Sequence, residues 1–179
     1  MRVIGGEFRS RAIKSLPGLD VRPTPDRLRE ALFNILAPRI EGTVFADLYA
    51  GTGAVGIEAL SRGAARAIFV EQKHAAVRAI RENLRALGIE SRADVRHGRA
   101  AAVIPQLEAN IVFLDPPYAL ENEYTAALGL LGEKAPPLVI AQHPPRLKLA
   151  DRYGDLHRTR TVKHGDNALS FFEPEIVKD

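Results

Sequence analysis

Val44-Phe45-Ala46-Asp47-Leu48-Tyr49-Ala50-Gly51-Thr52-Gly53-Ala54-Val55-Gly56 decides the fold. Val44 to Leu48 is a short apolar run of strand length, glycines follow at 51, 53 and 56, and a helical pattern begins at Ala54. Gly51-x-Gly53-x-x-Gly56 between a strand and a helix matches the turn that cradles dinucleotides, because glycine lets the backbone turn tightly and approach a ligand with no Cβ in the way. From Thr43 onward the pattern alternates: strands near 43–48, 67–70, 93–97, 110–114 and 137–141, with helices near 54–62 and 73–87. Short apolar strands separated by helix-length segments predict parallel pairing with right-handed crossovers, an α/β doubly wound sheet. Leu156 to Lys163 and Asn167 to Glu173, joined by His164-Gly165-Asp166, predict an antiparallel hairpin that closes it.

Upstream of the sheet, Arg2 to Gly5 and Ala12 to Leu16 read as short strands of a basic hairpin, expected to be an appendage rather than core. Thr24 can cap a helix with Pro25 at its first position and Asp26 in its first turn. That helix runs to about Leu36, with Leu28, Leu32, Ile35 and Leu36 packing one side and Arg27 and Arg29 on other faces. Residues 1–40 carry eight Arg or Lys against four acids, so this segment holds +4 of a total net charge of +3. A basic arm beside a near-neutral body fits an enzyme that binds a polyanion. The expected division is an extension over 1–40, folded with the rest, and a main domain over 41–179.

The 179 residues fit one domain with a substantial core. No run reaches the roughly 18 apolar residues of a membrane span, and Met1 to Gly6 lacks the apolar centre of a signal peptide, so a soluble cytoplasmic protein is expected. The absence of cysteine excludes disulfides, thiolate metal sites and a cysteine nucleophile. His74, His97, His143, His157 and His164 show no metal-ligand spacing, so no metal is expected, and a lone His143 reads as a surface residue.

Glu71 ends the strand after the glycine turn, where a carboxylate can accept both hydroxyls of a ribose. A nicotinamide cofactor and S-adenosylmethionine both carry one, so the turn alone does not choose between hydride and methyl transfer. Asp47 shifts the balance, since an acid there repels a pyrophosphate but accepts a hydrogen bond from a methionine ammonium. The apolar run Ile111 to Leu114 then ends in Asp115-Pro116-Pro117-Tyr118. An exocyclic amine on a base is a poor nucleophile because its lone pair is delocalised into the ring. Asp115 and the Pro116 carbonyl can each accept one of its N–H groups, holding the lone pair towards the methyl and binding the nitrogen more strongly as positive charge develops. The prolines stiffen the turn and remove competing donors. Stacking on Tyr118, worth about 1–3 kcal/mol, is comparable with the few kcal/mol that unstacking a base costs.

These residues resemble the bacterial family that methylates N2 of guanine 966 in 16S ribosomal RNA. The likeness rests on Arg2 to Gly6, Arg22-Pro23-Thr24, Asp26 to Glu30, Leu32-Phe33-Asn34, Asp47 to Gly63 and Asp115 to Tyr118. It implies a Rossmann-like class I methyltransferase: a mostly parallel seven-stranded sheet with a C-terminal antiparallel hairpin, preceded by a small basic hairpin and helix. It further implies S-adenosyl-L-methionine as cofactor, S-adenosyl-L-homocysteine as product, and a monomer acting on the small ribosomal subunit or an assembly intermediate. Carried over by position, Asp47, Tyr49, Gly51, Gly53, Glu71, Arg99, Ala100 and Asp115 hold the cofactor, and Asp115, Pro116 and Tyr118 are catalytic. Arg2, Arg9, Arg11, Lys14, Arg22, Thr24, Arg27, Arg29, Pro117 and Tyr118 meet the RNA.

Two positions depart from the family pattern. Arg99 stands where a small polar or acidic residue is expected beside the adenine, and a guanidinium accepts no hydrogen bond. The backbone near Gly98 and Ala100, or stacking on Arg99, would then hold the ring. Gln142-His143 stands where a glutamate is common. Three other readings stay open: an adenine-N6 methyltransferase of DNA or RNA, a nicotinamide-dependent oxidoreductase, and a non-catalytic RNA-binding assembly factor.

Overall fold

The computed structural model describes residues 1–16, 24–117 and 121–176. Strands β1 (Val44–Asp47), β2 (Arg66–Glu71), β3 (Ala93–His97), β4 (Ile111–Leu114) and β5 (Leu138–His143) are parallel, and β7 (Leu156–His164) and β8 (Asn167–Pro174) join them antiparallel. A short strand β6 (Arg152–Tyr153) lies outermost, giving the order β3-β2-β1-β4-β5-β8-β7-β6. Among the described residues the sheet therefore has eight strands rather than the seven expected. The addition is a two-residue strand that pairs with Leu156 and His157 across a tight turn, too short to leave a periodic signal.

Helices α1 (Asp26–Leu36), α2 (Ala54–Ser61) and α3 (His74–Leu87), with α4 (Ala100–Val103) and α5 (Glu121–Glu133), cover the two faces. One core packs Phe45, Phe113, Ile140 and Phe171 of the sheet under α1, α2 and α3. The other packs Ala46, Val112, Leu114 and Phe172 against Tyr124, Leu128 and Leu131 of α5. Burial on both faces is why β4 is an unbroken apolar run rather than an alternating one. All eight residues of α2 are buried, and Gly56 makes that possible: a Cβ there would lie 2.3 Å from Cε1 of Phe69 on β2. No helix among the described residues is long and apolar enough to cross a membrane.

The N-terminal segment differs from its expectation. Instead of two strands it forms one antiparallel bridge, Arg2 to Ala12, and Val3 and Ile13 are each only 2% exposed within the first core. It is part of the body, not an appendage. The side chain that fastens it is Glu58, fully buried on α2, whose Oε1 accepts from the amide of Ile4 (2.9 Å) and whose Oε2 accepts from that of Gly5 (3.0 Å). Ser61, one turn on, donates to the Gly5 carbonyl and accepts from the Phe8 amide.

Arg29, expected away from the packed leucine side of α1, is likewise fully buried. Its Nη2 donates to the Arg2 carbonyl (2.6 Å) and its Nε lies 3.6 Å from Glu58 Oε1. Burial lowers the pKa of this guanidinium, with Glu58 and Asp26 opposing that effect. α1 begins at Asp26, one residue later than expected, and Thr24 is buried and does not cap it.

Candidate active site

β1 leads outward to β2 and β3, whereas β4 and β5 lie on its other side, so the strand order reverses between β1 and β4. In such sheets a crevice opens at the carboxyl ends of the strands flanking that reversal. Asp47 ends β1 opposite Phe113 of β4. Asp115, two residues beyond Phe113, continues on the same face by the pleat, so the two carboxylates stand on either side of the crevice.

Gly51 (φ 58°) and Gly53 (φ 87°) bend the chain between them in left-handed conformations that glycine adopts without strain. The Gly51 amide donates to Glu71 Oε2 (2.9 Å), while Glu71 Oε1 accepts from the amide of Lys73 (3.1 Å). Asp47, Glu71 and Asp115 therefore border one glycine turn. Among the described residues none of the three has an Arg, Lys or His within ion-pair distance, and no three metal-ligating side chains converge.

Asp47 is 1% exposed, and its Oδ1 has no hydrogen-bond partner. Burial raises its carboxyl to a pKa of about 7, against the amides of Gly56 and Tyr49, with the charge of Glu71 adding to the rise. Asp115 is half-buried, and burial, then the charge of Asp47, pushes it up to about 8. Burial therefore favours the protonated form of both carboxyls, and a cation arriving in the crevice would favour the charged form. The arrangement thus suits a positively charged ligand and disfavours a pyrophosphate.

The Tyr49 hydroxyl donates to Glu123 Oε2 (2.9 Å), and burial followed by this bond raises the pKa of the phenol. Glu123 Oε1 also lies 3.6 Å from Nη2 of the exposed Arg99, which precedes α4 and the buried Ala100. The arginine that breaks the family pattern is thereby held by an acid of α5, a pairing 24 residues apart that spacing could not reveal. Pro116 is buried and Pro117 exposed. Tyr118 and Arg22 lie outside the described residues.

Beyond the turn, the expected RNA-facing residues divide. Arg2, Arg9, Arg11, Lys14 and Arg27 are exposed, whereas Thr24 and Arg29 are buried, so Arg29, engaged by Arg2 and Glu58, is not placed to meet RNA. Arg11 donates to the Ala86 carbonyl near the end of α3. Lys14 is paired with Glu82 (2.9 Å), and its backbone is gripped on both sides by Asn83, whose Nδ2 also donates to Thr52 of the glycine loop. Asn83 had no signal in the sequence beyond being polar at a buried helix position.

His143 is 4% exposed, not a surface residue. Its Nδ1 meets the Pro144 carbonyl (2.9 Å), an acceptor, so that nitrogen carries the proton and Nε2 accepts from the Ser170 hydroxyl (2.7 Å). Burial lowers its pKa, and the neutral ring is fully partnered. Gln142 instead follows Ala141, the partner of Leu114, so it flanks Asp115 on the same face, 3% exposed and with Oε1 unpartnered.

The family described as Conserved hypothetical protein 95 matches residues 1–173. The chain belongs to that family. Among relatives, the chain is 34% identical over 182 residues to "Putative rRNA methyltransferase YlbH" of Bacillus subtilis, covering 97% of this chain and 98% of the relative. It is 42% identical over 120 residues to "Ribosomal RNA small subunit methyltransferase D" of Escherichia coli, covering 66% of this chain and 60% of that protein. Among solved structures, "Putative methyltransferase yhhF from Escherichia coli" superposes with a TM-score of 0.83 at 34% identity over 98% of both chains. Within the Conserved hypothetical protein 95 family, then, the Glu58 clamp and the carboxylate-lined turn lie inside the matched segment.

Proposed function

We propose that this chain methylates ribosomal RNA, transferring the methyl group of S-adenosyl-L-methionine to the exocyclic N2 amine of guanine 966 in 16S RNA of the small subunit or an assembly intermediate. The observation that carries the reading is the crevice bordered by Asp47, Glu71 and Asp115, which have no cationic partner among the described residues, next to a proline-stiffened turn. S-adenosylmethionine brings an ammonium and a sulfonium, the charges this crevice lacks. The names of the relatives support methyl transfer to ribosomal RNA. The nucleotide and atom rest on the family resemblance and on the fit of an amine to the acceptor pair.

In this reading the open Oδ1 of Asp47 accepts from the methionine ammonium, directly or through water. Glu71 turns its carboxylate to the ribose while keeping the Gly51 loop in place. Asp115 and the Pro116 carbonyl accept the two N–H groups of the guanine amine. S-adenosylmethionine, when bound, would supply an electrophilic methyl group on sulfur, and the two acceptors would hold the nitrogen lone pair towards it. The nitrogen then sheds one proton, which Asp115, with its raised proton affinity, is fit to receive before passing it to solvent. The unpartnered Gln142 Oε1 beside Asp115 offers an acceptor for the adjoining ring N–H.

A pH test follows from the same carboxyls. A cation favours their charged forms, so affinity for S-adenosylmethionine should rise with pH through the window of about 7 to 8 and level off above it. Calorimetry at pH 7 in two buffers of different ionisation heat should register proton release on binding. Absence of both effects would mean that the cofactor does not sit against Asp47 and Asp115. Tight binding of a nicotinamide dinucleotide instead would overturn methyl transfer itself.

A further inference from the structure

We propose that the cleft where β5, β7 and β8 meet is a phosphate subsite for the RNA backbone, with Lys148, Lys163 and Thr161 as its contacting groups. The cleft is lined by these three side chains with His143, Leu149 and Arg158, and no acid among the described residues lines it. His143, neutral and committed to Pro144 and Ser170, forms a fixed floor. Arg158 pairs with Asp151 and donates to the Leu149 carbonyl, pinning the 149–151 loop to β7 and shaping one wall.

Charge concentrates here. Residues 144–164 carry six Arg or Lys against two acids, a balance of +4 in a chain whose total is +3. Asp151 is occupied by Arg158, and Arg152 by Glu175. Arg146, Lys148 and Lys163 are exposed and form no ion pair among the described residues, whereas Arg160 lies over the Phe171 ring and does not line the cleft. Cations left unpaired in this way present an open field to a polyanion.

Position selects RNA as the occupant, and the inference here rests on the RNA-methylation reading. The cleft opens at the carboxyl end of β5, the same edge of the sheet as Asp47 and Asp115. From β4 to β7 is three strand spacings, about 14 Å at roughly 4.8 Å each. A nucleotide whose base is held at Asp115 brings its neighbours' phosphates to that distance within a few residues of RNA. Two described cations of the basic arm are engaged elsewhere, Arg11 by the Ala86 carbonyl of α3 and Lys14 by Glu82. Phosphate contacts fix register and orientation, which a site made of an amine acceptor pair and a stacking ring lacks.

The test is the full-length double variant Lys148→Ala/Lys163→Ala, with S-adenosylhomocysteine affinity as the check that the fold and cofactor site are intact. Binding to a fluorescent single-stranded RNA of 16S sequence and to unmodified small subunits is measured from low to high salt. Two lost contacts should flatten the slope of log K against log salt by about 1.4, at roughly 0.7 per phosphate, with about a tenfold loss of affinity near physiological salt. An unchanged slope and affinity would overturn the subsite. So would a loss seen with intact subunits alone, which would make an acidic ribosomal protein the partner. Methyl transfer by the parent protein is scored separately. Transfer to RNA with an unchanged slope in the variant sinks the subsite and leaves the reaction standing, whereas a flattened slope with no transfer by the parent does the reverse.

Discussion

Asp115→Ala is expected to lower the rate of methyl transfer about 100- to 1,000-fold, the loss seen when one preorganised group facing developing charge is removed. Its affinity for S-adenosylmethionine should fall by much less than the rate, because Asp47 and Glu71 still face the methionine and ribose ends. Asp115→Asn keeps a carbonyl acceptor for the N–H group but neither the charge nor the capacity to take a proton, so it should retain more activity than alanine. Equal losses in single-turnover assays would show that the charge or the proton transfer, not hydrogen-bond acceptance, is what the position supplies.

The asparagine variant carries a second expectation with the opposite sign. The Asp115 carboxyl is raised to about 8 in the folded chain, against about 3.9 for an unperturbed aspartate. Between these values the folded chain holds a proton that the unfolded chain has lost, so this group lowers stability as pH climbs through the window. Asp115→Asn should therefore stabilise the cofactor-free protein at pH 8 and have little effect at pH 4. Stability spent at a functional carboxylate and regained on its removal is the usual trade-off at active sites.

The largest loss of stability is expected from Glu58→Ala. The carboxylate is fully buried, accepts from two backbone amides and from Arg62, and faces the buried guanidinium of Arg29. Removing one partner of a buried ion pair costs about 3–5 kcal/mol, because the other charge is left unpaired in the interior. At about 2–4 °C per kcal/mol for a chain of this size, the melting temperature should fall by roughly 6–20 °C. Hydrogen exchange should show the amides of Ile4 and Gly5 losing protection first. A variant melting within about 2 °C of the parent would mean that the N-terminal segment is held by Val3 and Ile13 rather than by this clamp.

What the sequence disclosed follows the range of the signals. The strand, glycine turn and helix from Val44 to Ser61 were legible because their periodicity and turn chemistry are local, and so were β4 and its Asp115-Pro116 end. Arg29 and Glu58 were not. Spacing places Arg29 away from the packed side of α1, and beyond Asp26 three residues back its partners are a carboxylate 29 residues away and a carbonyl 27 residues back. Glu58 and Ser61 belong to a conspicuous motif, but they bind main-chain amides and a carbonyl of the arm, which carry no side-chain signature. His143 read as a surface residue because its partner Ser170 is on a strand that pairs antiparallel 27 residues later. The cluster on β7 escaped notice for a different reason. Net charge taken over everything after residue 40 averages the +4 of residues 144–164 against acids elsewhere.

The most direct test of the proposed reaction is transfer of labelled methyl from S-adenosylmethionine to unmodified small subunits, naked 16S RNA and DNA, followed by digestion and nucleoside analysis. The account predicts label in N2-methylguanosine from the ribosomal substrate, mapping to guanine 966. Label recovered as N6-methyladenosine, or confined to DNA, would contradict it.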